Sequence, residues 1–134
     1  AAVINGTHYM EYQHVLCDDK ASCALPFAKV PVGKKLLVIR VTCKVVTSGA
    51  TANLGTLTLA QASNAIPPTL TGTEAHIAPE VVSVNGGIRV HVANNEMFYL
   101  FKAGQTPFIL TKAPVGVINN ANCTLFGTLE NVVA

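Results

Sequence analysis

Hydrophobic and polar positions alternate with period two along most of this chain, and apolar residues nowhere recur at helical spacing. The longest alternating run is Lys35-Leu-Leu-Val-Ile-Arg-Val-Thr-Cys-Lys-Val-Val46. One phase collects Leu37, Ile39, Val41, Cys43 and Val45, and the other collects Leu36, Val38, Arg40, Thr42 and Lys44. The first phase is apolar throughout and the second ends polar. The run therefore predicts a long strand with Leu37 to Val45 inward and Leu36 and Val38 outward. Pro31 and Gly33 mark the turn before it.

The C-terminal stretch repeats this logic. Cys123, Leu125, Gly127 and Leu129 share an inward face, while Thr124, Phe126, Thr128 and Glu130 share the outer one. Between the two runs the strands are short and the punctuation is frequent. Val81–Val84 and Ile88–Val92 flank Asn85-Gly86-Gly87, a hairpin signal because Asn and Gly tolerate positive φ. Leu54–Ala60, Met97–Lys102, Phe108–Thr111 and Val115–Ile118 read as further strands, the last followed by a polar turn over 119–122. Ile66-Pro67-Pro68 must be loop or edge, since proline cannot donate to a ladder. About eight strands at this spacing predict an all-β, antiparallel sandwich of jelly-roll type. At 134 residues the chain reads as a single domain, 1–134.

The N-terminal segment allows two readings. His8, Met10, Tyr12, His14 and Leu16 alternate with Thr7, Tyr9, Glu11, Gln13 and Val15. Residues 1–16 are expected either as the first strand of their own sandwich or as an arm that adds to a neighbour's sheet edge.

Four cysteines stand at 17, 23, 43 and 123, with no tight pair of the metal-binding kind. Cys43 and Cys123 both fall on inward strand faces, which predicts a bond between them and a local Cys17–Cys23 loop. The long loop closed by the first bond is worth roughly 4–5 kcal/mol in the chain-entropy account. Two disulfides point to an oxidising compartment, hence a secreted or cell-surface protein. The opening Ala1-Ala2-Val3 is compatible with cleavage beside small residues, and no apolar run reaches the length of a membrane span.

Composition narrows the function. Charged residues are 12% of the chain and hydrophobic ones 50%, which excludes a disordered chain and leaves few charges to keep copies apart. A net charge of +2 from scattered lysines and arginines gives no nucleic-acid footprint.

The segment Phe27-Ala-Lys-Val-Pro31-Val-Gly33-Lys34-Lys-Leu36-Leu-Val-Ile39 resembles the VPxGKxLxI segment of a group of uncharacterised secreted bacterial β-sandwich proteins. Cys123-Thr-Leu125-Phe-Gly127-Thr-Leu129 is similar to their C-x-L-x-G-x-L last strand. The resemblance implies a secreted sandwich and brings no catalytic residues.

Residues for chemistry are few. Ser22, Ser48, Ser63 and Ser83 lie in no nucleophile elbow, and the aspartates are Asp18 and Asp19, inside the small cysteine loop. Glu74 and Glu80 are the least implausible carboxylate pair, with Glu11, Glu96 and Glu130 dispersed. His8 and His14 would stand about 20 Å apart on an extended strand, too far to share an ion. His91 is expected with Arg89 on the polar side of its strand. Asp18 and Asp19 could hold calcium, but no EF-hand spacing supports it. With no tryptophan, three tyrosines and five phenylalanines, the aromatic platform of a lectin is thin. Asn5-Gly-Thr7 and Asn122-Cys-Thr124 match the N-glycosylation pattern.

The expectation is therefore a non-enzymatic structural or adhesive domain without metal or cofactor, a subunit of a homo-oligomer or fibre. The candidate interface residues are Tyr9, Tyr12, Leu36, Val38, Tyr99 and Phe126. A lectin-like glycan-binding module is the alternative, resting on fold analogy.

Overall fold

A computed structural model describes residues 2–20, 22–53, 56–61, 75–113 and 115–132. These form ten strands and no helix. In chain order they are β1 (Ala2–Asn5), β2 (His8–Lys20), β3 (Ser22–Pro26), β4 (Lys34–Asn53) and β5 (Thr56–Gln61), then β6 (Ala75–His76), β7 (Glu80–Asn85), β8 (Ile88–Phe101), β9 (Pro107–Lys112) and β10 (Val115–Asn131).

Two antiparallel sheets result, ordered β1-β2-β10-β4-β8-β7 and β3-β9-β5-β6. Apart from the edge strands β1 and β7, the chain pairs like one long hairpin folded over on itself. β5 pairs with β6, β4 with β8, β3 with β9 and β2 with β10, and successive pairs fall in opposite sheets. That nesting is a jelly roll, with one strand added at each edge of the larger sheet.

The strand inventory differs from the sequence reading for local reasons. Gly6 at φ 63° turns the N-terminal run into a β1–β2 hairpin, so residues 2–16 pair in cis, with β2 lying between β1 and β10. Ile88–Val92 and residues 97–101 belong to one strand, β8, which ends before Lys102. The expected turn at 119–122 is likewise inside β10, where the register shifts between Ile118 and Asn120. A bulge absorbs the polar residues without ending the strand. At the β7–β8 hairpin, Gly86 (φ 57°) and Gly87 (φ 83°) supply the two positive angles that a type I′ turn requires.

The core lies between the sheets. Val41, Cys43 and Val45 of β4 pack with Ile118, Cys123 and Leu125 of β10, and with Leu25, Leu57, Leu59 and Ile109 of the smaller sheet. Cys43 and Cys123 face each other in register with Cα atoms 4.1 Å apart and are bonded, joining the two central strands. Cys17–Cys23 ties β2 to β3, a link from one sheet to the other.

One phase differs from expectation. Leu36 and Val38 are buried at 1% and 0% exposure, whereas Ile39 is 40% exposed. The register gives the cause: Phe126 pairs with Arg40, and the next residue, Gly127, pairs with Val38. Ile39 is an extra residue in β4, so Ile39 and Arg40 both face out and the alternation reverses across them. Gly127 makes the bulge possible. A Cβ there would lie 1.9 Å from the Leu37 carbonyl oxygen. Gly127→Ala is expected to lose at least about 2 kcal/mol of stability, as overpacking against backbone does. Urea unfolding checks this, and a loss under about 0.5 kcal/mol would contradict the close approach.

Candidate interaction surface

The bulge places an apolar cluster on the outer face of the larger sheet. Ile39 sits between two shallow depressions. One, of about 340 Å³, is lined by Asn5, His8, Tyr9, Met10, Ile39, Phe126 and Gly127. The other, of about 240 Å³, is lined by Ile39, Arg40, Glu96 and Phe98. Phe98 is 87% exposed; Leu100 on the same strand and Ile39 beside it are also exposed, and Met10 is exposed on the far side of Ile39, two strands away on β2. Phe126 is half-buried on the same face. Single exposed apolar residues need no explanation, but two apolar depressions that meet at Ile39, one of them flanked by an open aromatic ring, make a candidate contact surface. Arg40 and Glu96 cross the cluster as an ion pair at 2.9 Å. Both are well exposed, so the pair adds at most about 1 kcal/mol of stability. Its effect is to leave the surface there without net charge.

Of the six candidate interface residues, two belong to this outer face. Phe126 lines the first depression, and Tyr12 stands exposed further along β2. Leu36 and Val38 are core residues, for the bulge reason given above. Tyr9 is also buried, its hydroxyl turned inward to donate to Glu11. Tyr99 points inward, half-buried, with its ring stacked on Phe101 at 4.5 Å. Met10, Ile39, Phe98 and Leu100 were not singled out. Phe98 and Leu100 share the outer face of β8 by simple alternation, but its exposure follows from the sheet order.

The buried polar groups act as fasteners. Glu11 on the inner face of β2 is 1% exposed, and its carboxylate accepts hydrogen bonds from Tyr9, from Gln13 Nε2 at 2.7 Å and from the Ala28 amide at 2.9 Å. It anchors the segment after β3 against β2, and that segment is further held by Phe27 N to Pro107 O and Val30 N to Gln105 O, each at 2.9 Å. Burial, then the hydrogen bond to Glu11 and its charge, keep the Tyr9 phenol well above its usual pKa. A carboxylate with so many internal donors and so little exposure is placed to hold chain, not to meet a substrate.

His91 was expected on the polar side of β8 but is 3% exposed on the inner face, 3.0 Å from Thr47 Oγ1 through Nε2. The partner hydroxyl on β4 makes burial of the ring tolerable. His8, His14 and His76 are exposed, and among the described residues no three His, Cys, Asp or Glu side chains gather where a metal could sit. Glu80 is exposed on β7, while its suggested partner Glu74 and the side chains of Asp18 and Asp19 lie outside the described residues. Asn5 is exposed beside the β1–β2 turn, and Asn122 is half-buried on β10.

Compared with family models, with curated proteins and with solved structures, the chain matches none.

Burial, and then the nearby Arg89 charge, lower the pKa of His91 below its usual value. As pH falls through about 6.5 the unfolded chain takes up a proton here before the folded chain does, so stability must fall on acidification. His91→Gln is expected to flatten this part of the dependence. Denaturation midpoints between about pH 8 and about pH 5 measure it. Equal slopes for parent and variant would remove His91 from the account.

Proposed function

We propose that this domain is a non-catalytic structural or adhesive subunit, secreted or displayed at a cell surface, that associates with copies of itself. The observation that carries the reading is Phe98, 87% exposed beside the exposed Ile39 and Leu100. Burying such a ring against a second copy contributes roughly 2 kcal/mol or more as a central anchor. The paired Arg40 and Glu96 let two such faces meet without like-charge opposition. A 12% charged composition supplies little electrostatic repulsion elsewhere. Two disulfides fit an oxidising extracellular environment, and among the described residues no helix is long and apolar enough to cross a membrane. The resemblance to secreted bacterial sandwich proteins is consistent with that setting. β2 is paired on both sides in its own sheet and is not free to leave as an arm, which supports this face over a donated N-terminal strand.

A glycan-binding role is the second reading. The depression lined by Ile39, Arg40, Glu96 and Phe98 offers a ring face for sugar CH groups beside a charged pair for hydroxyls. Saturable binding on a glycan array that Phe98→Ala abolishes, by a protein that stays monomeric, would favour it.

Sedimentation of the disulfide-intact protein over a range of concentrations tests the main reading. Self-association is expected, and Phe98→Asp should weaken it by about thirtyfold or more. A parent protein that remains monomeric at every concentration would refute the proposal.

A further inference from the structure

We propose a second self-contact, resting on the self-association just described: the free edge of β7 pairs antiparallel with β7 of another copy. The larger sheet then runs on as one continuous sheet across the two molecules.

A jelly roll has open sheet edges, and edges are normally guarded by brevity, proline, charge or a bulge. Among the described residues, three of the four edges are so treated. β1 has four residues, β6 has two, and β3 ends on Pro26. β7 has six residues, Glu80-Val-Val-Ser-Val-Asn85, with no lysine, arginine or proline. Every side chain on it is exposed, Val82 and Val84 at 59% and 61%. Its guards are the Glu80 charge at its start and a bulge at Val82, where the register with β8 shifts between Val81 and Ser83. The stretch from Ser83 to Asn85 beyond that bulge remains open.

The hairpin geometry says which backbone groups are available. A two-residue turn closes on a hydrogen-bonded pair, here Asn85 and Ile88. The adjacent pair, Val84 and Arg89, is then the non-hydrogen-bonded kind, so the Val84 N–H and C=O point away from β8 to the free edge. An outward N–H and C=O on one residue can be satisfied by the same residue of a second strand related by a two-fold axis. Val84 then faces Val84 and Ser83 faces Asn85, with no charged residue opposite another. The contact is isologous and closes on itself. Because it uses the edge and Phe98 uses the face, one copy can make both contacts at once, and the assembly can grow beyond a dimer.

Sedimentation in the Phe98→Asp background separates the two contacts, using the full chain with both disulfides formed. Phe98→Asp alone is expected to leave a dimer and nothing larger. Adding Val84→Pro removes a donor that β8 does not use, so it should weaken that dimer at least about tenfold while thermal unfolding stays cooperative. Val84→Cys in the same background should oxidise to a covalent dimer, the residue meeting its own symmetry mate. Phe98→Asp protein that is monomeric throughout overturns the edge contact and leaves the face reading standing. A dimer that survives Val84→Pro and fails to cross-link through Val84→Cys also overturns it. Parent protein whose assembly ignores Phe98→Asp but is lost with Val84→Pro supports the edge contact and rejects the face.

Discussion

The structure depends on how closely β4 and β10 approach at Gly127. These two strands pair from Lys34 to Asn53 and carry the disulfide that joins the middle of the larger sheet. At Gly127 the β4 backbone comes so near that any side chain would strike the Leu37 carbonyl. The missing Cβ lets Ile39 be accommodated as an extra residue, and the consequences run in both directions. Inward, Leu36 and Val38 join Val41, Cys43 and Val45 in a continuous core, although a regular strand would place them on opposite faces. Outward, Ile39 and Arg40 stand side by side, one supplying apolar surface beside Phe98 and Phe126, the other pairing with Glu96. Core and exposed apolar surface thus follow from one local irregularity.

The remaining fasteners hold elements that this sheet does not reach. Cys17–Cys23 spans from β2 to β3, so the first strand of the smaller sheet cannot drift from the larger one. Glu11 secures the chain just after β3, accepting from Tyr9, Gln13 and the Ala28 amide. In a chain with five glutamates, a fully buried and fully donated-to carboxylate is costly to desolvate and is retained here by its hydrogen bonds. Both of its oxygens accept hydrogen bonds from within the protein, which makes Glu11 a clamp on the chain.

Much of this was legible beforehand. Alternation located β4 and the end of β10, and the shared inward phase of Cys43 and Cys123 identified their bond. The Asn85-Gly86-Gly87 signal gave the β7–β8 hairpin because its chemistry is local. What escaped the sequence was long-range. A bulge in β4 is specified by a glycine on another strand, nearly ninety positions away, so period-two counting carried Leu36 and Val38 to the wrong face. Bulges likewise kept β10 going through three asparagines that resemble a turn. Burial of His91 and Tyr9 turned on partners, Thr47 and Glu11, that composition cannot pair. The contact surface was only half visible for the same reason: Phe126 was found, but Ile39 was read as core.

Ile39 is a residue inserted into β4, and the exposed apolar group around it follows from that insertion. Thiol labelling of three single variants, Val38→Cys, Ile39→Cys and Arg40→Cys, tests this most directly. The account expects the cysteines at 39 and 40 to react rapidly and the one at 38 to be protected in the folded protein. Rapid labelling at 38 and 40 with protection at 39, the signature of an unbroken strand, would contradict it.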